Sequence, residues 1–224
     1  MTATPSVIVF DVNETLSDMG PLAEAFNRAG APASLARLWF TEVLRDGFAL
    51  TAAGNNPAFA DLATDNLSRH LAQTSGQGDY QKQIEAIMGV FKNLPLHPDA
   101  APGIKALSRI TQLITLSNGA TSVAEDLLER GGVQDKFSRF LSVQDAPRWK
   151  PASEAYDYAA RELNQSANQL LLVAVHPWDI HGANVAGLQT AWINREGASY
   201  PSYFTPPDIE AEDLLVLADK IAAR

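Results

Sequence analysis

A short apolar run that ends in a carboxylate, close to the start of the chain, most constrains the fold. Residues 7–10 are Val, Ile, Val and Phe, and Asp11 follows them directly. Side chains of this kind pack well in a strand that is covered on both faces, so the run predicts a central strand of a parallel sheet. Asp11 then lies at the C-terminal end of that strand, where open α/β sheets bind ligands. Taken alone, Asp11 is better explained as a residue that ends the strand and caps the next turn.

Three later segments repeat this pattern of an apolar run followed by polar residues. The runs are residues 113–116, 140–143 and 170–175, and the polar residues that come after them include Ser117, Asn118, Lys150 and Asp179. Because helical segments separate the runs, we predict a parallel sheet with right-handed crossovers. The carboxyl ends of parallel strands meet at one edge, so these side chains are expected to lie near Asp11. Two carboxylates, a cation and neutral donors together fit covalent catalysis through a carboxylate.

A helical insert separates the first strand from the rest of the sheet. Apolar residues recur at helical spacing between residues 22 and 94, and no strand is predicted there. The predicted fold class is therefore α/β, with a Rossmann-like doubly wound parallel sheet in a core of residues 1–17 and 97–224. An all-helical cap, residues 18–96, is inserted after the first strand, where we expect it to form a lid over the strand ends. Residues 189–194 predict one further strand, and residues 209–223 predict a helical tail.

Composition excludes several classes of function. The formal net charge of -9 argues against nucleic acid as a partner, because phosphate binding needs a basic surface. The chain has no cysteine, which excludes disulfides, thiolate nucleophiles and cysteine-based zinc sites. No apolar run reaches the length of a membrane span, and the first residues do not resemble a signal peptide. We therefore expect a cytoplasmic protein with no membrane partner.

Four motifs, in order along nearly the whole chain, resemble those of the haloacid dehalogenase-like (HAD) hydrolase superfamily. The motifs are D-V-N-E-T at 11–15, S-N at 117–118, R-W-K-P at 148–151 and V-H-P-W-D at 175–179. They are most similar to the (S)-2-haloacid dehalogenase branch, and the resemblance implies the HAD fold. It also implies that Asp11 attacks carbon and forms an ester while Thr15 orients it. Lys150 would keep Asp11 ionised, and Asp179 would pair with Lys150 and help to activate the water that cleaves the ester.

The same resemblance implies a set of substrate-binding residues. Ser117 and Asn118 would contact the substrate carboxylate and the departing halide, and Tyr156 matches a tyrosine that the dehalogenases use. Val12 and Asn13, next to the nucleophile, are also expected to bind substrate. The implied partners are a small halogenated carboxylic acid and water, with no cofactor. Relatives of this kind are often dimers, so a homodimer is possible.

Two positions distinguish this chain from the phosphatases of the superfamily. The resemblance places a second Asp where this chain has Asn13 and another acid where it has Val175. That second Asp protonates a departing alkoxide, which Asn cannot do, whereas a halide leaves without a proton. A hard divalent cation needs several oxygen ligands, and these two changes remove two carboxylates from its site. We therefore expect no required metal.

The chain also departs from the dehalogenase pattern. The cap-helix arginine that follows a tryptophan is replaced here, since Trp39 is followed by Phe40. Arg37 lies one turn earlier on the same helix face and can substitute for it, while Phe40 either lines an apolar pocket with Trp39 or packs the cap. In the fourth motif, the usual Ser and Asn correspond to Ala174 and His176. His176 is a candidate donor to the substrate or leaving group, and it can titrate near neutral pH.

These observations leave three hypotheses. The leading one is a metal-independent hydrolase that acts on the carbon–halogen bond of small 2-haloacids through an aspartyl ester. The alternative is a magnesium-dependent phosphatase of the same fold, which shares Asp11, Lys150 and Asp179. The third is a protein that binds small acids and has lost its chemistry, as the changes at Phe40, Ala174 and His176 suggest.

Overall fold

The computed structural model describes residues 4–76 and 78–223. Within them, six strands form one sheet in the order β3-β2-β1-β4-β5-β6, with each neighbouring pair parallel. The strands are β1 (Val7–Phe10), β2 (Gln112–Ser117), β3 (Phe137–Ser142), β4 (Leu170–Ala174), β5 (Gln189–Ile193) and β6 (Ile209–Ala211). The predicted α/β class and parallel sheet are confirmed. The strand order reverses between β1 and β4, and ligands of open α/β sheets bind at such a point.

Helices occupy most of the remaining described chain. They are α1 (Pro21–Arg28), α2 (Leu35–Ala52), α3 (Phe59–Ser75), α4 (Gln81–Lys92), α5 (Ala100–Leu107), α6 (Thr121–Arg130), α7 (Ser153–Leu163), α8 (Pro177–Val185) and α9 (Leu214–Ala222). No strand lies among α1 to α4 in the part of the insert that the structure describes, as predicted. No helix in the described part of the chain is long and apolar enough to cross a membrane.

The C-terminal segment differs from the prediction of one continuous helix. Its first residues form β6, which pairs with β5, and α9 begins only at Leu214. Ile209 and Ala211 are buried while Glu210 is exposed, so the burial alternates with the period of a strand. Asp213 then starts the helix, since its side chain accepts a 2.8 Å hydrogen bond from Val216 N. The helical prediction was therefore wrong for residues 209–211 and correct for the segment after Asp213.

The chain divides into two compact units. The core unit contains the chain up to Ser17 and from Pro95 onward, and the helical unit is Asp18–Leu94. Within the core unit, Ser17 and Leu96 form an isolated antiparallel bridge where the chain leaves and returns. Every residue of β1 is buried, as expected for a strand with neighbours on both sides. Because all of its residues are buried, β1 is a rigid support for the residues that follow it.

The helical unit has an aromatic interior of its own. Four rings, those of Trp39, Phe40, Phe59 and Phe91, contact one another with centroids 5.5 to 6.5 Å apart. The indole Nε1 of Trp39 also donates a 2.9 Å hydrogen bond to Ala63 O. Aromatic rings bury large apolar areas, so this cluster contributes to the stability of the unit.

Candidate active site

Asp11 lies where β1 ends, and both of its carboxylate oxygens accept strong hydrogen bonds. Its main-chain N–H donates to Val173 O at 3.0 Å, which continues the pairing of β1 with β4. Lys150 Nζ donates to Asp11 Oδ1 at 2.8 Å, and Thr15 Oγ1 donates to Oδ2 at 2.6 Å. The Thr15 hydroxyl in turn accepts from Val175 N at 3.1 Å. Thr15 therefore connects the carboxylate of Asp11 to the loop after β4.

Lys150 holds two carboxylates that follow different strands, Asp11 after β1 and Asp179 after β4. Besides Asp11, its ammonium group donates to Asp179 Oδ2 at 2.6 Å, and the side chains of Lys150 and Asp179 are both 0% exposed. Asp179 lies in the first turn of α8, where the partial positive charge of the helix N-terminus favours an anion. Bonds between fully charged, buried partners are short and strong. A single cation thus fixes the distance between the ends of β1 and β4.

The pKa values of this triad move in different directions. Burial raises the pKa of Asp11, but the charges of Lys150 and His176, with hydrogen bonds from Lys150 and Thr15, hold it below the ordinary value of 3.8. Burial, together with the charge of Asp11, outweighs Lys150 at Asp179 and raises the pKa of that carboxyl group. Burial lowers the pKa of Lys150, yet the two carboxylates raise it above 10.5. Asp11 is accordingly an anion at neutral pH and Lys150 is a cation.

Tyr156, on α7, completes the surroundings of Asp179. Its hydroxyl donates to Asp179 Oδ1 at 2.6 Å, and Asp179 O lies 3.2 Å away. Burial and the charge of Asp179 raise the pKa of Tyr156 well above 10.0, so the hydroxyl keeps its proton. Both oxygens of Asp179 are therefore occupied by donors.

Ser117, the last residue of β2, and Asn118, which follows it, both hydrogen-bond to main-chain groups. Ser117 Oγ accepts from Gly119 N at 2.9 Å, which closes a turn at the end of the strand. Asn118 Oδ1 accepts from Lys150 N at 3.0 Å, and Asn118 Nδ2 donates to Lys150 O at 3.2 Å. These two bonds fix the main chain that carries the Lys150 ammonium. Contact of either side chain with a substrate stays a prediction.

His176, just before α8, lies near Asp11 Oδ2, whereas Lys150 binds Oδ1. Its Nε2 lies 3.6 Å from Asp11 Oδ2, 3.6 Å from Glu14 Oε2 and 3.2 Å from Asn13 O. The imidazole is stacked on Trp178, with ring centroids 5.0 Å apart. Two acidic side chains thus converge on one imidazole nitrogen beside the predicted nucleophile.

The remaining predicted residues lie elsewhere. Val12 is buried in the apolar core of the core unit, and its carbonyl accepts from Leu16 N and Ser17 N. Trp39 and Phe40 are buried in the interior of the helical unit, and Arg37 is exposed on its surface. The packing of Phe40 agrees with the interpretation that it packs the cap. A part in substrate binding for these four residues stays a prediction.

Sequence reasoning missed several residues that contact this site. Glu14 lies inside the first motif and adopts φ 61°, a value that non-glycine residues rarely show. Arg195 follows β5, and its guanidinium Nη2 donates to Thr15 O at 3.1 Å. The rule that polar residues after parallel strands meet at one edge would have identified Arg195. His97 is beyond that rule, since it lies just after the return from the helical insert and its Nε2 is 2.9 Å from Glu14 O.

The residues around Asp11 do not form a ligand set for a divalent cation. No group of three or more His, Asp or Glu side chains suited to a metal was found among residues 4–76 and 78–223. The buried ammonium of Lys150 already lies between Asp11 and Asp179. The main-chain N–H of Val175 points to Thr15, and its side chain offers no oxygen to a metal. The donor set of this site therefore does not fit a resident magnesium ion.

Comparison with protein families identifies one that covers most of the chain. Residues 5–187 match the model of the haloacid dehalogenase-like hydrolase family. Haloacetate dehalogenase H-2 of Moraxella sp. (strain B) is 27% identical over 204 residues, which cover 90% of this chain and 91% of that protein. The (S)-2-haloacid dehalogenase H-109 of Pseudomonas putida is 25% identical over 215 residues, 95% of this chain and 96% of the relative.

Solved structures give the same result. A dehalogenase crystallised with an intermediate complex superposes with a TM-score of 0.89 and 25% identity, covering 98% of both chains. An L-2-haloacid dehalogenase superposes with a TM-score of 0.89 and 25% identity, covering 98% of this chain and 100% of the other. The similarity therefore extends through the core and helical units alike.

Proposed function

The chain belongs to the haloacid dehalogenase-like hydrolase family, and we propose that it hydrolyses the carbon–halogen bond of small 2-haloacids through an ester on Asp11. Relatives named haloacetate and (S)-2-haloacid dehalogenases, each matched over at least 90% of both chains, support this substrate class. The dehalogenase hypothesis is favoured over both the phosphatase and the inactive binding protein. Small halogenated acids and water are the reactants that it requires.

One observation carries the proposal. Asp11 is a buried anion whose two oxygens are held by Lys150 and Thr15, while the position two residues later is Asn13 rather than an acid. A fixed, ionised carboxylate is a competent nucleophile toward carbon. The amide of Asn13 has no acidic proton for a departing alkoxide, and a halide needs none. The geometry therefore supports displacement of halide more than cleavage of a phosphate ester.

In the first step, a carboxylate oxygen of Asp11 forms a bond to carbon two of the acid. The carbon–halogen bond breaks, and the halide leaves with the electron pair. Lys150 and Thr15 hold the carboxylate in one orientation, so little rotational freedom is lost on the way to the transition state. The cation of Lys150 also lowers the pKa of Asp11, which keeps the nucleophile ionised over the whole neutral range.

In the second step, water attacks the carboxyl carbon of the Asp11 ester. The bond between that carbon and the ester oxygen breaks, the 2-hydroxyacid leaves, and the carboxylate is restored. Both oxygens of Asp179 already accept hydrogen bonds from Lys150 and Tyr156, which suits it to fixing Lys150. Asp179, whose pKa burial raises, keeps the role of activating this water that the resemblance implies. His176 Nε2, which donates to Asn13 O and lies 3.6 Å from Asp11 Oδ2, is placed to donate toward the oxyanion that forms on this carboxyl group.

Halide release from a panel of 2-halo acids, including a fluorinated acid and longer homologues, tests the proposal. We expect release that is unchanged by EDTA and abolished by Asp11→Asn. A single turnover in water enriched in heavy oxygen should place the label in Asp11 and leave the first product unlabelled. Magnesium-dependent release of phosphate from an aryl phosphate, without any halide release, would instead establish the phosphatase.

Two further expectations are independent of this chemistry. A cytoplasmic location and a homodimeric state both stay predictions, the first tested by cell fractionation and the second by sedimentation equilibrium. Neither result changes the residues assigned to Asp11 and its partners.

A further inference from the structure

The turn after Asp11 is held by side chains from three distant parts of the core unit. Three consecutive carbonyl oxygens of this turn each lie within hydrogen-bond distance of one side-chain nitrogen. The pairs are Asn13 O with His176 Nε2 at 3.2 Å, Glu14 O with His97 Nε2 at 2.9 Å, and Thr15 O with Arg195 Nη2 at 3.1 Å. Because a carbonyl oxygen can only accept, each nitrogen must donate. The turn is therefore fixed by contacts beyond its own local hydrogen bonds.

Arg195 is itself rigidly placed. Its Nε donates to Asp99 Oδ1 at 2.9 Å, and its Nη2 donates to Asp99 Oδ2 at 3.0 Å. Asp99 Oδ2 also accepts from Leu214 N at 3.1 Å, the first residue of α9. Burial raises the pKa of Asp99, but the bonds from Arg195 and Leu214 bring it below its ordinary value. A two-pronged bond between Arg and a carboxylate fixes orientation as well as distance.

We propose that Arg195, held by Asp99, is a positioning residue for Asp11 and acts through Thr15. This inference rests on the proposed function, since it assigns Arg195 to the orientation of the same nucleophile. Arg195 binds the carbonyl of Thr15, while the hydroxyl of Thr15 donates to Asp11 Oδ2 and accepts from Val175 N. A shift of the Thr15 main chain therefore disturbs both hydroxyl contacts together. Small misplacements of a reacting group lower rates steeply.

A purely structural role predicts a different outcome for the same residues. Asp99 and Arg195 also connect the segment after β5 to the start of α9. If that were their only task, their loss would lower the free energy of unfolding and leave the kinetics of each folded molecule unchanged. The positioning role instead predicts a lower kcat with KM nearly unchanged, because the nucleophile is misaligned while the substrate pocket is intact.

The experiment compares Arg195→Met, the milder Arg195→Lys and Asp99→Asn, and the control Arg139→Met. Arg139 makes an exposed ion pair with Glu162 at 3.4 Å, so its loss should have little effect. We expect kcat for halide release to fall about 10- to 100-fold in Arg195→Met, with smaller losses in the milder variants. Thr15→Val should also lower kcat. The double variant Thr15→Val, Arg195→Met should have a kcat only slightly below that of Thr15→Val alone. Wild-type kcat in folded Arg195→Met, or fully additive losses, would overturn the proposal.

Failure of the proposed function gives a separate signature. If the wild-type protein releases no halide from any acid, the dehalogenase proposal fails, and crystal structures then decide the role of Arg195. We expect the 2.6 Å bond between Thr15 Oγ1 and Asp11 Oδ2 to be broken in Arg195→Met or Arg195→Lys. An unchanged bond in these variants would contradict the positioning role whatever the reaction.

Discussion

The side-chain amide of Asn118 and the main chain of Lys150 form a reciprocal pair of hydrogen bonds, at 3.0 and 3.2 Å. Asn118→Ala would leave the buried N–H and C=O of Lys150 without these partners. We expect it to lower the free energy of unfolding by about 1–3 kcal/mol, the cost of unpaired buried groups. Because the ammonium of Lys150 would lose its fixed position, kcat should fall as well. Urea denaturation and halide-release kinetics measure the two effects.

Asn93→Ala is the matched control for this change. Asn93 Nδ2 also donates to a main-chain carbonyl, that of Gly89 at 2.8 Å, but it is exposed. Water can replace an exposed hydrogen bond, so we expect the stability and the kcat of Asn93→Ala to stay close to those of the wild type. Equal effects of the two substitutions would contradict a specific role for Asn118.

The opposite pKa shifts of Asp11 and Asp179 predict opposite effects of pH on stability. The folded pKa of Asp11 lies below 3.8, so its contribution is present above 3.8 and is lost as pH falls through the folded value. The folded pKa of Asp179 lies above 3.8, so the folded state loses stability as pH rises from 3.8 toward that value. Relative to Asp11→Asn, the wild type should therefore gain stability with pH below 3.8.

Relative to Asp179→Asn, the wild type should lose stability as pH rises above 3.8. Urea denaturation of the three proteins at closely spaced acidic pH values measures both differences. A single carboxyl group changes the slope of the free energy of unfolding against pH by at most about 1.4 kcal/mol per pH unit. Slopes of the same sign for the two variants would show that the shifts do not have these directions.

Gly182 on α8 allows the helix to approach the loop of Pro151 and the ring of Tyr156. A Cβ at this position would lie 2.6 Å from Pro151 Cβ and 2.8 Å from the Tyr156 hydroxyl oxygen. Gly182→Ala should therefore displace Tyr156 from Asp179, cost about 1–3 kcal/mol through overpacking and lower kcat. Gly89→Ala is the control, because a Cβ there meets nothing within 4 Å. The control should be neutral or stabilising by up to about 1 kcal/mol.

Phe40 is expected to matter for stability, since it is only 4% exposed and contacts three other rings. Phe40→Ala should lower the free energy of unfolding by about 3–5 kcal/mol, the usual cost of removing a buried aromatic ring. Thermal denaturation followed by circular dichroism provides the measurement. Tyr203→Ala, at a residue that is 80% exposed, should change stability by less than about 0.5 kcal/mol. A loss no larger than that of the control would exclude Phe40 from the interior.

The sequence was sufficient for the parts of the fold that repeat a periodic pattern. Largely apolar runs predicted β1, β2, β4 and β5, because buried parallel strands carry mostly apolar side chains on both faces. Short edge strands carry less of this signal. The strand β3 begins at Phe137, earlier than predicted, and includes the exposed residues Ser138 and Arg139. The strand β6 has only three residues, too few for its alternation to stand out from a helix.

The candidate site was predictable only where a polar residue follows a strand. Asp11, Lys150 and Asp179 were identified in this way, and the structure places Lys150 Nζ 2.8 Å from Asp11 Oδ1 and 2.6 Å from Asp179 Oδ2. The contact of His97 with the turn after Asp11 and the bonds from Arg195 to Asp99 depend on which distant loops approach one another. No local pattern encodes such an approach. The positive φ of Glu14 is likewise set by tertiary contacts rather than by a glycine.

His176 provides the sharpest test of the second step. Its Nε2 lies 3.6 Å from both Asp11 Oδ2 and Glu14 Oε2, next to the carboxyl carbon that water must attack. We expect His176→Ala to release a first equivalent of halide but to hydrolyse the ester slowly, with kcat about 10²–10³-fold lower, because the oxyanion that forms on the Asp11 carboxyl group loses the donor at Nε2. Mass spectrometry of the quenched protein should detect the acid attached to the peptide that contains Asp11. His176→Asn, which keeps a donor, should retain more of the wild-type rate than His176→Ala. Rapid turnover in His176→Ala would remove His176 from the mechanism.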